Sequence, residues 1–195
     1  MLYTERRRFT ADDLLTLPDD GWRYEIVRGR LIQMAPTGVD HGAPTDNLYF
    51  AMGQYVRAHG LGKLYPAETG FNLRRPDETE DTVLAADITF VRADRVPASG
   101  GPAYPLLAPD LVVEVASEAS QRPKDMADKA LLWLSRDVRL VWVVWPRRQA
   151  IDVWRPGDRE ARQLGRGDEL DGGAVLSGFR YPVAEVFRYE GVSGA

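Results

Sequence analysis

The chain has 195 residues, 44% of them hydrophobic, with five Trp and eight Tyr, which is enough apolar material for one globular domain with a substantial core. It has no cysteine, which excludes disulfides, thiolate metal sites and cysteine nucleophiles and is compatible with a reducing cytoplasm. A net charge of −4 argues against a general nucleic-acid binder, although a single focused groove could still take DNA.

In chain order, Met1 to Arg8 lacks the apolar stretch of a signal peptide and no run is long enough to span a bilayer, so a soluble cytoplasmic protein is expected. Thr10 and Asp13 have the spacing of a capping pair and predict a short helix through Leu17, ended by Pro18. Two apolar runs, 24–27 and 31–34, flank Arg28-Gly29-Arg30 and predict a hairpin with Gly29 at positive φ. Residues 36–44 read as a loop, followed by a helix from Thr45 or Asp46 to His59, stopped by Gly60. Strands are expected over 63–73, 83–91 and 110–116, with the acidic stretch 76–81 as a solvated loop. A second helix over 124–135 carries an apolar arc of Met126, Ala127, Ala130, Leu131, Trp133 and Leu134. Strands over 139–145 and 150–154 form a second hairpin, and 157–195 reads as a smaller strand and a closing segment. With no internal repeat or long linker, the chain reads as a single domain over 1–195. Its class is α/β (α+β), a mixed central sheet flanked by helices, with N-terminal and C-terminal β-hairpins.

Three residues break these apolar patterns. Asp87 lies in the run 83–91, Glu114 lies in Leu111-Val112-Val113-Glu114-Val115, and Lys129 sits at the edge of the second helix's apolar arc. A carboxylate inside so apolar a strand needs a cation or hydrogen bonds. Strand alternation puts Val112, Glu114 and Ala116 on one face, and Ala85, Asp87 and Thr89 on another, each the less apolar side of its strand. Two carboxylates with an ammonium nearby suggest a divalent-metal site for phosphodiester cleavage, because hard oxygen ligands suit Mg²⁺ or Mn²⁺. The backbone carbonyl of Val115 is a natural further ligand, and a lysine can orient or deprotonate water or stabilise phosphorane charge.

These residues carry a resemblance. Leu111 to Val115, the downstream Asp125 and Lys129, Ala86-Asp87-Ile88-Thr89-Phe90-Val91, the segment from Tyr24 to Pro36, His41 and Gly178-Phe179 together resemble the Uma-type restriction endonuclease family of the PD-(D/E)xK nuclease superfamily. The resemblance implies a restriction-endonuclease-like core sheet, Asp87 and Glu114 as metal ligands, and Lys129 as a lysine moved from strand to helix. It also implies Glu25 as an accessory catalytic carboxylate, with His41 and Asp125 as possible accessory residues. The sequence departs from the superfamily pattern at Ala116, where the strand lysine would stand, and at Ala86, where Pro is expected. Arg28-Gly29-Arg30 replaces the family's acidic turn, and Trp145 stands where relatives often have Asp.

Each acid alone has a blander explanation. Asp87 could be a strand-end acid bonded to backbone amides, and Glu114 a buried salt bridge to an arginine or Lys129. Asp125 could cap its helix or pair with Lys129, and His41 could be a turn or capping residue. Joined with the family pattern, the expectation is a Mg²⁺-dependent DNA endonuclease acting as a homodimer, since two sites about a two-fold axis would cut both strands. The alternative is a catalytically silent binding or regulatory module on the same fold.

Overall fold

The computed structural model describes residues 7–34, 38–117 and 122–189. Helix α1 (Ala11–Leu14) opens on a reciprocal capping box: the Asp13 amide donates to Thr10 Oγ1, and the Thr10 amide to Asp13 Oδ2. It stops after one turn, short of Leu17. Strands β1 (Arg23–Val27) and β2 (Arg30–Met34) pair antiparallel across a two-residue turn, with Arg28 (φ 49°) and Gly29 (φ 69°) both left-handed. Such turns match the twist of the strands they join.

Helix α2 (Val39–His59) begins six residues before the predicted Thr45, so residues 39–44 of the stretch read as a loop are helical. Pro44 lies inside the helix, where it lacks the amide that would bond the carbonyl four residues back. Thr45 Oγ1 donates to the His41 carbonyl at 2.7 Å in the same turn. His41 is therefore a helical residue.

Strands β3 (Gly62–Pro66), β4 (Phe71–Asn72), β5 (Val83–Leu84), β6 (Ile88–Arg92), β7 (Leu111–Val115), β8 (Leu140–Trp145), β9 (Ala150–Trp154) and β10 (Arg162–Leu164) follow, with α3 (Pro123–Leu134) between β7 and β8. A six-stranded mixed sheet runs β10-β9-β8-β7-β6-β3, and a four-stranded sheet runs β2-β1-β5-β4. Among the described strands β7 and β8 pair in parallel and are joined through α3, as a parallel connection requires. Gly62 (φ 153°) enters β3 where a Cβ would stand 2.1 Å from the Val91 carbonyl oxygen, so no other residue fits.

The runs 63–73 and 83–91, each expected as one strand, are each split between the two sheets. The second split matters most. β5 pairs with β1 and β4, β6 pairs with β3 and β7, and Ala85-Ala86-Asp87 is the crossing between sheets. Asp87 thus stands at the entrance to β6 rather than within a strand. At the crossing the ladder is interrupted, and side-chain carboxylates take over as acceptors. The Ala85 amide donates to Glu25 Oε1 at 3.0 Å, and the Val115 amide donates to Asp87 Oδ2 at 2.7 Å.

Two cores cover the faces of the six-stranded sheet. One joins Leu48, Met52 and Val56 of α2 to Phe90, Val113 and Trp142. The other joins Met126, Ala130 and Trp133 of α3 to Val112, Ala116, Val141 and Val143, and reaches Leu84 and Ala86. The face bearing Glu114 is this second core, so it is not the uncrowded side that alternation suggested. Leu131, placed in the apolar arc, is 41% exposed.

The acidic stretch 76–81 is more than a solvated loop. Glu78 pairs with the buried Arg136. Asp81 accepts from the Ala11 amide and from Asn72 Nδ2. In the C-terminal part, β11 (Glu169–Asp171) and β12 (Arg180–Pro182) form a small hairpin. The apolar piece after Pro182 is one helical turn, α4 (Val183–Val186), and not a strand.

Candidate active site

The β6–β7 register pairs Ile88 with Val113, so Asp87 and Glu114 occupy the next positions on the two strands. Both are buried, at 6% and 5% exposure. Glu114 points toward α3, where Trp133 Nε1 donates to its Oε1 at 2.7 Å and Lys129 Nζ lies 3.1 Å from the same oxygen. Lys129 and Trp133 are one helical turn apart and therefore present side by side to the sheet. Lys129 Nζ also lies 3.4 Å from Glu25 Oε1, so the ammonium bridges a carboxylate of each sheet. About a quarter of its side chain remains exposed. Its stem crosses apolar surface while the charge stays near the rim.

On the other side of this cluster, His41 Nε2 lies 3.0 Å from Asp87 Oδ2, the oxygen that also accepts from the Val115 amide. His41 is itself buried. A cleft of about 540 Å³ opens onto His41 and Asp87, lined also by Arg23, Thr45, Tyr49 and Pro66.

The electrostatics follow from this packing. Burial drives the Glu114 carboxyl up, to about 7; Lys129 and the Trp133 hydrogen bond oppose the rise, and the charges of Asp87 and Glu25 add to it. Burial pulls Lys129 down, but the adjoining Glu114 and Glu25 carboxylates outweigh it and hold the ammonium above its ordinary value. Lys129 is therefore a fixed cation at neutral pH.

Glu25, Glu114 and Lys129 come into direct contact, and Asp87, Val115 and His41 adjoin them. Asp125 does not. It is exposed in the first turn of α3, where the cap is Arg122 with no side-chain bond, and among the described residues it has no ion pair with Lys129. Among the described residues its exposed side chain neither caps α3 nor pairs with Lys129. Two site residues escaped sequence reasoning. Trp133 was read as core alone, though its place one turn beyond Lys129 signals that the two reach the same acid. Arg23, two residues before Glu25 on one strand face, received no notice.

Among the described residues no three His, Asp or Glu side chains converge to hold a metal by themselves. The donor set nevertheless suits a hard divalent cation, which usually takes one or two carboxylates and keeps several waters. A cation there would offset both the burial that chiefly lifts Glu114 and the smaller repulsion from Asp87 and Glu25.

The family model Uma2, described as "Putative restriction endonuclease", matches residues 11–184. A search of curated proteins finds no match. Among solved structures, the chain is similar to a putative nuclease belonging to DUF820 from Anabaena variabilis. The two are 21% identical with a TM-score of 0.74, and the match covers 92% of this chain and 97% of that one. At that identity the likeness speaks to the fold, a mixed α+β arrangement shared with that putative nuclease.

Proposed function

The chain belongs to the Uma2 family of putative restriction endonucleases, and from that premise we propose that it is a Mg²⁺-dependent endonuclease hydrolysing phosphodiester bonds in DNA. The observation that carries the proposal is Lys129 Nζ at 3.1 Å from Glu114 Oε1. It provides an ammonium beside the acid of β7 although the strand position for that lysine is Ala116, which is buried in the core against α3.

In this reading Asp87 and Glu114 hold the cation, with the Val115 carbonyl as a further oxygen ligand and Glu25 as an accessory acid. When bound, the metal supplies Lewis-acid polarisation of a phosphoryl oxygen and a bound water of lowered pKa. His41 fixes the orientation of Asp87, and Trp133 fixes that of Glu114, so neither carboxylate must reorganise on binding. Lys129, held in its charged form, acts as a cation toward the negative charge that develops on the phosphoryl oxygens and not as the base. Activity on both strands of a duplex is simplest for a homodimer, which sedimentation of the purified protein would detect.

The test is cleavage of plasmid and single-stranded DNA with Mg²⁺ or Mn²⁺. Cutting by wild type that disappears in Asp87→Ala supports the reading; no cutting, or equal cutting by the variant, refutes it. One observation favours a second reading, a silent binding module on the same fold: Lys129 already neutralises Glu25 and Glu114 together. Calorimetry separates the two, since the module predicts no Mn²⁺ binding at millimolar concentration.

A further inference from the structure

We propose that the protein seats one unpaired nucleotide beside the scissile phosphate, with Arg23 holding its phosphate and an adjacent aromatic pocket holding its base. The proposal takes its substrate class from the nuclease reading above and goes further in naming the bound element. Arg23 is the starting point. It lies on the face of β1 that carries Glu25, its Nε is buried without a hydrogen-bond partner, and among the described residues no carboxylate pairs with it. The buried Arg136 likewise has an unpaired Nε, but its other two nitrogens are matched by Glu78 and Thr82, whereas the half-buried Arg23 has no such partner among the described residues. A buried donor left open at the edge of an acidic cluster is costly unless a ligand completes it.

Arg23 lines the cleft that opens onto Asp87 and His41. It also lines a second pocket of about 360 Å³, whose walls include Leu14, Trp22, Tyr24, Met34 and Tyr104. Gly21 and Glu68 line both as well, so the two cavities are neighbours with Arg23 on the wall they share. The second volume falls in the range of small-ligand pockets, roughly 300–1,000 Å³. Its three aromatic rings and aliphatic side chains suit a flat, apolar-faced group, and the carboxylates of Asp19 and Glu68 offer acceptors for that group's polar edge. Trp22 lines this pocket and is 46% exposed, so its indole is accessible to a ligand there. The Tyr104 ring packs on Gly70, where a Cβ would stand 2.7 Å away, so that ring is set in place by the backbone.

The charge pattern selects an unpaired strand. A duplex tracker needs a row of cations, whereas the acidic side chains Asp46 and Glu68 also line the Asp87 cleft and leave Arg23 as its one phosphate seat among the lining residues. Affinity must then come largely from base stacking on aromatic side chains, the part of single-strand recognition that does not depend on a basic groove. A paired base would first have to leave its stack.

The experiment measures fluorescence anisotropy of labelled oligonucleotides with the full chain in EDTA, so that no strand is cut. The probes are a short oligo-thymidine, the same strand in duplex, and a strand of abasic sugar-phosphates. Oligo-thymidine is expected to bind about tenfold or more tightly than the duplex. Trp22→Ala should weaken oligo-thymidine about tenfold and leave the abasic strand unchanged, with Trp22→Phe restoring the loss. Arg23→Ala should weaken both strands and lower the salt slope by about 0.7. The proposal is overturned if the duplex binds as tightly as the single strand, or if Trp22→Ala weakens both strands alike. Cleavage assays with Mn²⁺ keep the two readings apart. Binding with this pattern but without cutting sinks the nuclease and supports the pocket. Cutting by a protein whose Trp22→Ala and Arg23→Ala variants bind as wild type sinks the pocket and leaves the nuclease standing.

Discussion

Replacing Glu114 with glutamine should make the metal-free protein more stable at pH 8 while abolishing its activity. The carboxyl rises from 4.5 to about 7 in the folded state. The folded protein therefore binds its proton more tightly than the unfolded chain does, so stability falls as pH climbs from about 4.5 to 7. Below that window the cost is absent. Above it the full cost applies, about 3 kcal/mol as a ceiling from the linkage relation. Lys129 shifts upward, so its contribution favours folding, is constant until pH approaches its ordinary value, and does not alter the window. Glutamine keeps an oxygen for Trp133 Nε1, and Lys129 keeps Glu25 at 3.4 Å. The variant should thus gain about 1–3 kcal/mol over wild type at pH 8 and little at pH 5. Urea unfolding of both proteins at the two pH values, without metal, reads this directly. A variant destabilised more at pH 8 than at pH 5 would show that Glu114 is a structural ion-pair partner, and the reasoning would fall.

Lys129→Met leaves Glu25 and Glu114 without their shared cation; the loss should be about 2–3 kcal/mol in urea unfolding at pH 8, with DNA cleavage down about 100-fold or more. A variant cutting at the wild-type rate would dismiss the lysine. His41→Ala frees Asp87 from its orienting ring, and Mn²⁺ affinity by titration calorimetry should drop about 10- to 100-fold while the fold persists by circular dichroism. Gly62→Ala forces a Cβ onto the Val91 carbonyl at the entrance to β3 and should destabilise by about 2 kcal/mol or more in thermal unfolding, since backbone cannot yield as a side chain can.

Most of the architecture was legible because periodicity reports burial. The capping pair Thr10–Asp13, the hairpin about Gly29 and the helix carrying Met126, Ala130 and Trp133 all follow from local rules. The failures share a cause, which is that the sheet to which a strand belongs is decided by distant partners. Nothing within 83–91 says that the chain changes sheets at Ala85, because the acceptors that make the change possible, Glu25 among them, lie 60 residues away. The early start of α2 was masked by Pro44, which local propensity treats as a breaker. Asp87 and Glu114 stood out because burial of charge contradicts its surroundings. The blander roles weighed for them coexist with the proposed one: Asp87 does accept a backbone amide, and Glu114 does pair with Lys129. Arg23 was invisible because an arginine at a strand edge is ordinary until its lack of a partner can be seen.

The bridge from Glu25 to Lys129 spans 104 residues of chain and ties one sheet to a helix packed on the other. During synthesis, the hairpin bearing Glu25 emerges long before α3, which carries the ammonium that Glu25 meets in the folded structure. The cluster can therefore close only after most of the chain has left the ribosome, and its closure is among the long-range contacts that set a slow folding step. A nascent or partly folded molecule thus lacks the assembled carboxylate–ammonium centre, so any activity that depends on this centre must wait until the chain through α3 is free to fold.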